Sequence, residues 1–181
     1  AHPGGDGTRV EGADVPARKR GVGWVPQDDA LFPHLSAGEN VRFGLRRGGR
    51  EGARLLEAAV RILEIGDLLD RSVAALSGGE RRRVAVARAL GSGPRMLLLD
   101  EPFASLDLPL RERVFPHLIR LRDETCIPIL YVSHDPNEVL ALAGHFVVLD
   151  GGRSVADGDP REVLWSASAL PPLEAAGFEN R

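Results

Sequence analysis

Cys126 is the only cysteine in the chain, which excludes an internal disulfide and a cysteine-built zinc site. A single thiol also fits a reducing compartment. Lys19 is the only lysine and sits in Arg18-Lys19-Arg20-Gly21. The chain therefore holds no Gly-x-x-x-x-Gly-Lys-[Ser/Thr] segment, in which backbone amides and a lysine cradle phosphates. No apolar run approaches the ~18 to 20 residues that span a bilayer, and no basic-then-apolar leader opens the chain. Membrane contact is therefore expected only through a partner protein. The formal net charge of −3 excludes broad, non-specific nucleic-acid binding. Arginine supplies nearly all the basic charge, and Ala, Gly and Pro are abundant, a pattern that reads as coding bias rather than chemistry.

What is present suits one ordinary domain: 181 residues, 43% of them hydrophobic, can bury a real core. Residues 1–20 are Gly-rich and polar and read as turns around one extended piece at 8–12. Val22, Trp24 and Val25 mark a strand over 21–26, and Trp24 is expected in the core. Ser36 followed by Glu39 predicts a capped helix start. Leu55, Leu56, Ala59, Ile62 and Leu63 form a helical stripe within 51–64. Ser77 predicts the cap of a helix running to about Leu90, closed by Gly91-Ser92-Gly93-Pro94. Residues 96–99 and 128–133 read as short, buried strands of a parallel sheet. Helices are expected over 110–124 and 135–143. Gly151-Gly152 predicts a hairpin between 145–150 and 153–156, and 160–165 reads as a short helix. Strands alternating with helices indicate an α/β protein with a mostly parallel sheet. The stretch 35–75 shows no clear strand and reads as a helical insertion. The tail beyond Ser166 carries little pattern.

Two motifs carry chemistry. Asp100-Glu101 ends the hydrophobic strand Met96-Leu97-Leu98-Leu99, which puts carboxylates at the carboxyl edge of the sheet, where open α/β folds bind ligands. Asp100 there suits Mg²⁺, and Glu101, on the alternate side of the chain, suits polarising a water. The plain alternative is two solvated acids. Ser77-Gly78-Gly79-Glu80 opens a basic helix, and small residues at a helix N-terminus let the backbone approach a phosphate. A simple N-cap would explain Ser77 but not the glycines. Arg81-Arg82-Arg83 fits either a solvated face or a surface near a ligand. Cys126 reads as a small core filler. His2, His117 and His145 read as structural.

Leu76-Ser77-Gly78-Gly79-Glu80 and Met96-Leu97-Leu98-Leu99-Asp100-Glu101 together resemble the signature and Walker B motifs of the ABC ATPases. Glu80 stands where the family more often has Gln. Gln27 after the first strand resembles the Q-loop glutamine, Ser105-Leu106-Asp107 the D-loop, and Ser133-His134-Asp135 the switch-histidine segment. The resemblance covers about 8–165. It implies a P-loop NTPase-like fold, with 1–34 and 91–181 in a RecA-like core and 35–90 in a helical subdomain carrying the signature motif. It implies ATP and Mg²⁺ as ligands, with Asp100 and Gln27 at the metal, Glu101 as base and His134 at the γ-phosphate. Ser77, Gly78, Gly79, Glu80 and Asp107 would act on a nucleotide shared with a second ATPase subunit. The segment around His34 resembles the part that meets a membrane permease subunit, which implies a peripheral place on the cytoplasmic face of a bacterial inner membrane. Residues 29–40 and 116–135 are most similar to the molybdate-importer ATPases.

Members of that family begin with a strand, a phosphate loop and a helix ahead of the point where Ala1 stands. That segment is expected to be missing here, so the chain alone is expected to bind ATP weakly and not to turn it over. The alternative is a non-catalytic module that pairs with a complete ABC ATPase and regulates it. Chromosome-organising relatives carry long coiled coils between Q-loop and signature, and the interval from Gln27 to Leu76 lacks sustained heptads.

Overall fold

The computed structural model describes residues 15–166 apart from Ser105. The extended piece expected at 8–12, Ser105 and the tail beyond Ser166 lie outside the described residues.

Strands β1 (Val22–Val25), β2 (Met96–Asp100) and β3 (Ile129–Val132) form a parallel sheet in the order β1-β2-β3. Trp24 pairs with Leu98 and Leu98 with Leu130, while Asp100 pairs with Val132. In sequence its strands alternate with helices α1 (Ala37–Ile62), α2 (Gly78–Gly91), α3 (Leu108–Thr125), α4 (Pro136–Leu142) and α5 (Pro160–Ser166), and β4 (Phe146–Asp150) with β5 (Arg153–Gly158) makes a separate antiparallel hairpin. The protein is thus α/β with a parallel sheet.

Both long N-terminal helix starts obey local chemistry. Ser36 and Glu39 close a capping box: the Glu39 amide donates to Ser36 Oγ at 3.1 Å, and the Ser36 amide donates to Glu39 Oε2 at 2.7 Å. Such a cap contributes roughly 1 kcal/mol. The helical stripe expected over 51–64 belongs to a longer run, Ala37–Ile62, interrupted at Gly49 with φ 54° and ψ −147°. That backbone is open to glycine and hostile to other residues. Between Ser36 and Ser72 the described strand pairing is a single isolated bridge joining those two residues.

Helices α1 and α2 pack backbone to backbone. A Cβ at Gly48 would lie 2.0 Å from Gly91 O, and one at Gly44 would lie 2.1 Å from Arg88 O. A Cβ at Gly52, beyond the break at Gly49, would likewise lie 2.2 Å from Gly91 O, so these three glycines set how closely α2 approaches.

The core gathers Leu55, Ile62 and Leu63 of α1 and its end, Leu90 of α2, Leu97 and Leu99 of β2, and Leu118 and Leu121 of α3. Each fully buried leucine contributes roughly 1.5–3 kcal/mol. The strands are buried on one face only, which corrects the expectation of full burial. Leu97 and Leu99 face the helices, whereas Leu130 and Val132 are exposed. Trp24 is likewise not a core residue: it is 58% exposed, on the same side of the sheet as Leu130. Side chains alternate along a strand, and the helices that bury Val25 leave Trp24 on the other side. Cys126 is also exposed and is no core filler. It ends α3 in a left-handed conformation, φ 55°, its amide bonded to Arg122 O, a position outside the packed face.

Candidate functional site

Register brings the candidate residues to one edge. Val25 pairs with Leu99 and Asp100 with Val132. Gln27, Glu101 and His134 therefore each follow their strand at the same carboxyl end. Glu101 turns out of β2 with φ 41°, its amide donating to Val132 O at 3.0 Å. His134 Nδ1 stands 3.3 Å from Glu101 Oε2, and the imidazole is 69% exposed. The Asp100 side chain, one residue earlier, makes no hydrogen bond or ion pair among the described residues. Two carboxylates and an imidazole thus share one open edge, with acceptor oxygens suited to a hard divalent cation.

The other predicted residues have local partners. Ser77 caps α2: the Glu80 amide donates to its Oγ at 3.3 Å, and the Ser77 amide donates to Glu80 Oε2 at 2.7 Å. The Ser77 amide holds the Glu80 carboxyl below its ordinary range. A Cβ at Gly79 would meet Leu110 Cδ1 at 2.8 Å, and one at Gly78 would meet Leu106 Cδ2 at 3.1 Å. Packing on α3 therefore already demands a small residue at Gly79. Asp107 caps α3, its Oδ1 accepting from the Leu110 amide at 3.1 Å. Among the described residues, no hydrogen bond or ion pair joins Ser77, Glu80 or Asp107 to Gln27, Glu101 or His134.

The sequence reading missed what holds the Gln27 loop. Arg82, 1% exposed, donates to Pro26 O at 2.8 Å and Gln27 O at 2.6 Å. Its Nε lies 3.0 Å from Asp29 Oδ1, an ion pair whose angles do not make a hydrogen bond. Arg88 donates to Ala30 O at 2.8 Å and Asp29 O at 3.3 Å, with its guanidinium 5.2 Å over the Phe32 ring. Asp29 and Ala30 both take left-handed backbone, φ 58° and 49°. Burial pushes the Asp29 carboxyl up despite the attraction of Arg82, and burial pushes the Arg82 guanidinium down. The basic run is no solvated face: Arg81 donates to Leu76 O and Arg83 to Leu63 O. The signal was in the sequence, since Arg82, Val86 and Leu90 follow one another at helical spacing, and an arginine on an apolar stripe needs buried acceptors.

A groove of about 300 Å³ lies beside the same loop, lined by Leu35, Glu39, Arg42, Phe43 and Arg46. Buried Asn40 holds the preceding loop to α1, accepting from the Phe32 amide at 2.8 Å and donating to Phe32 O at 3.1 Å. His34 flanks Phe32, ring centres 6.1 Å apart. His117 Nδ1 meets Ile62 O at 2.8 Å, and His145 lies 3.9 Å from Asp157, at neither the edge nor the groove.

Comparison with known proteins identifies the family. A family model described as ABC transporter matches residues 4–104. The molybdenum import ATP-binding protein ModC of Methylococcus capsulatus is 51% identical over 83% of this chain and 42% of its own length. ModC of Bordetella pertussis is 46% identical over 91% of this chain and 48% of its own length. The chain thus spans less than half the length of these curated relatives. Among solved structures, the dimeric post-hydrolysis state of the ATP-binding cassette MJ0796 bound to ADP and Pi is 29% identical, with a TM-score of 0.63 over 77% of this chain and 63% of that one. With a family model over more than half of the chain and relatives at 46% and 51% identity, the chain belongs to the ABC transporter family, as a P-loop NTPase-like ATPase domain.

Proposed function

We propose that this chain is part of the ATP-hydrolysing subunit of a bacterial ABC importer for molybdate or a related oxyanion. The observation that carries the chemistry is the 3.3 Å approach of His134 to Glu101 at the end of β2. The substrate class rests on the names of the relatives, molybdenum import ATP-binding proteins at 46% and 51% identity.

In this reading Glu101 takes a proton from the attacking water while the water oxygen bonds to the γ-phosphorus and the β–γ bridging bond breaks. His134 steadies the γ-phosphate oxygens and keeps Glu101 oriented. Asp100 and Gln27 would hold Mg²⁺, which would neutralise charge on the phosphates; oxygen donors and an Asp100 side chain with no partner among the described residues suit it. Ser77, Gly78 and Gly79, with Glu80 and Asp107, face a nucleotide shared with a second ATPase subunit. The division into a helical subdomain, 35–90, and a RecA-like core, 1–34 and 91–181, is part of the proposal. It is supported by the confinement of the described parallel strands to Val22–Val25 and 96–132. The groove at Phe43 suits a helix of the membrane permease subunit. Attachment in this reading is peripheral, at the cytoplasmic face of the inner membrane. No helix among the described residues is long and apolar enough to cross a membrane.

Residues 1–181 contain no lysine phosphate loop. Each missing oxyanion-type donor costs about 3 kcal/mol of stabilisation, so this stretch by itself should bind ATP weakly. Calorimetric titration checks that; sub-millimolar affinity overturns it. Joined to a phosphate-loop segment, the Glu101→Gln protein should keep ATP-dependent dimers and lose hydrolysis. Unchanged turnover removes Glu101 from the role of base.

A further inference from the structure

Glu138 lies on α4, is 6% exposed, and has no part in the chemistry above. Its Oε2 accepts from Tyr131 Oη at 2.7 Å and from Ser133 Oγ. Its Oε1 stands 3.5 Å from Arg111 Nη1, which also bonds Asp135 Oδ2 at 2.6 Å. The Asp135 amide donates to Ser133 Oγ at 3.0 Å, and Asp135 Oδ1 caps α4 through the Asn137 amide at 2.9 Å. The residues on both sides of His134 are thus tied, and the ties converge on one buried carboxylate. Among the described residues His134 itself makes a single polar side-chain contact, the one to Glu101.

A buried carboxylate is strongly unfavourable unless its lone pairs are occupied. Here two hydroxyls and a guanidinium occupy them, so the cluster has one low-energy arrangement, and the Ser133–Asp135 backbone takes its shape from it. Burial and the adjacent Glu138 push the Tyr131 phenol far above its ordinary range, so it stays a donor. Arg111 extends the cluster to α3: its amide donates to the O of Asp107, the helix cap, at 2.9 Å.

We propose that Glu138 is a positioning residue for His134: through Ser133, Tyr131 and Arg111 it holds the loop so that the imidazole meets Glu101, and it ties that loop to the start of α3 at Asp107. The assignment rests on reading His134 and Glu101 as a working pair, but its test needs no nucleotide.

The His134 ring resonances of this chain, assigned with a His134→Gln protein, report the contact. Glu101→Gln should shift them in the wild-type background. In Glu138→Leu the same change should shift them about threefold less or lower still, by the logic of a double-mutant cycle. Glu138→Gln should restore most of the coupling, because its amide oxygen still accepts from both hydroxyls. A merely structural role would leave the coupling intact in any folded variant. Full coupling in folded Glu138→Leu overturns the proposal, as does no shift at all in the wild-type background. Should Glu138→Leu fail to fold, Ser133→Ala and Tyr131→Phe each delete one hydroxyl; each should reduce the coupling, and full coupling in both overturns it. Failure of the catalytic reading is separate. It shows as ATP turnover surviving His134→Ala in the protein joined to a phosphate-loop segment, whatever the spectra report.

Discussion

The loop after β1 and the loop after β3 leave the same edge of the sheet but are gripped by opposite means. Arginines of α2 hold the first, and their hydrogen bonds end on main-chain carbonyls of Pro26, Gln27, Asp29 and Ala30. A carboxylate of α4 holds the second, and it ends on the hydroxyls of Tyr131 and Ser133. A grip on carbonyls ignores which side chains the loop carries, so the Gln27 side chain is left for other work. A grip on hydroxyls depends on side-chain identity, so the positions flanking His134 are not free to vary. The cost differs too. Burial outweighs attraction for Asp29 and Arg82, since both are shifted toward their neutral forms. That pair fixes geometry more than it adds stability, as buried ion pairs commonly do.

The comparison breaks most visibly at Arg82. Arg82→Met leaves two carbonyls without donors and Asp29 without its counter-charge. It should cost about 3 kcal/mol or more in urea unfolding; a cost near that of a surface change would dissolve the distinction between the loops. Next in size is the crossing that brings α2 to its loop. Gly48→Ala puts a methyl 2.0 Å from Gly91 O, where neither backbone can yield without α1 shifting. Overpacking of this kind costs about 1–3 kcal/mol. It should also loosen the Gln27 loop, read as faster amide exchange at Gln27 and Asp29, and leave the His134 loop as it was.

The smallest effect is one of sign with pH. Asp29 has a raised native pKa, so the native state holds the extra proton above the ordinary 3.8. Its share of stability is full below 3.8 and is lost as pH rises through the native value. Glu80 is lowered by the Ser77 amide, so its share is full above 4.5 and is lost as pH falls through the native value. Urea midpoints of Asp29→Asn and Glu80→Gln, each against wild type across acidic pH, should therefore diverge in opposite directions. Parallel profiles would sink the account of both groups.

Much of this fold is legible residue by residue. Ser36 with Glu39, and Ser77 with Glu80, announce helix starts because the hydrogen bonds involved span only three residues. Apolar runs at 96–99 and 129–132 announce strands. Periodicity cannot say which face a neighbour covers, and so Trp24 was expected inside and stands outside. Gly79 illustrates the reverse. Read as room for a phosphate, it is also room for Leu110 and Val114 of a helix far along the chain.

Local pattern therefore establishes where helices and strands begin, that Asp100 and Glu101 stand at the end of an apolar strand, and that the chain has the motif order of an ABC ATPase. Tertiary packing alone decides that Glu101 and His134 touch, because that depends on the pairing of Asp100 with Val132 across two strands. It alone decides that Arg82 is buried and Trp24 is not, because burial follows from which surface the helices cover, and that surface is chosen by contacts between residues distant in sequence.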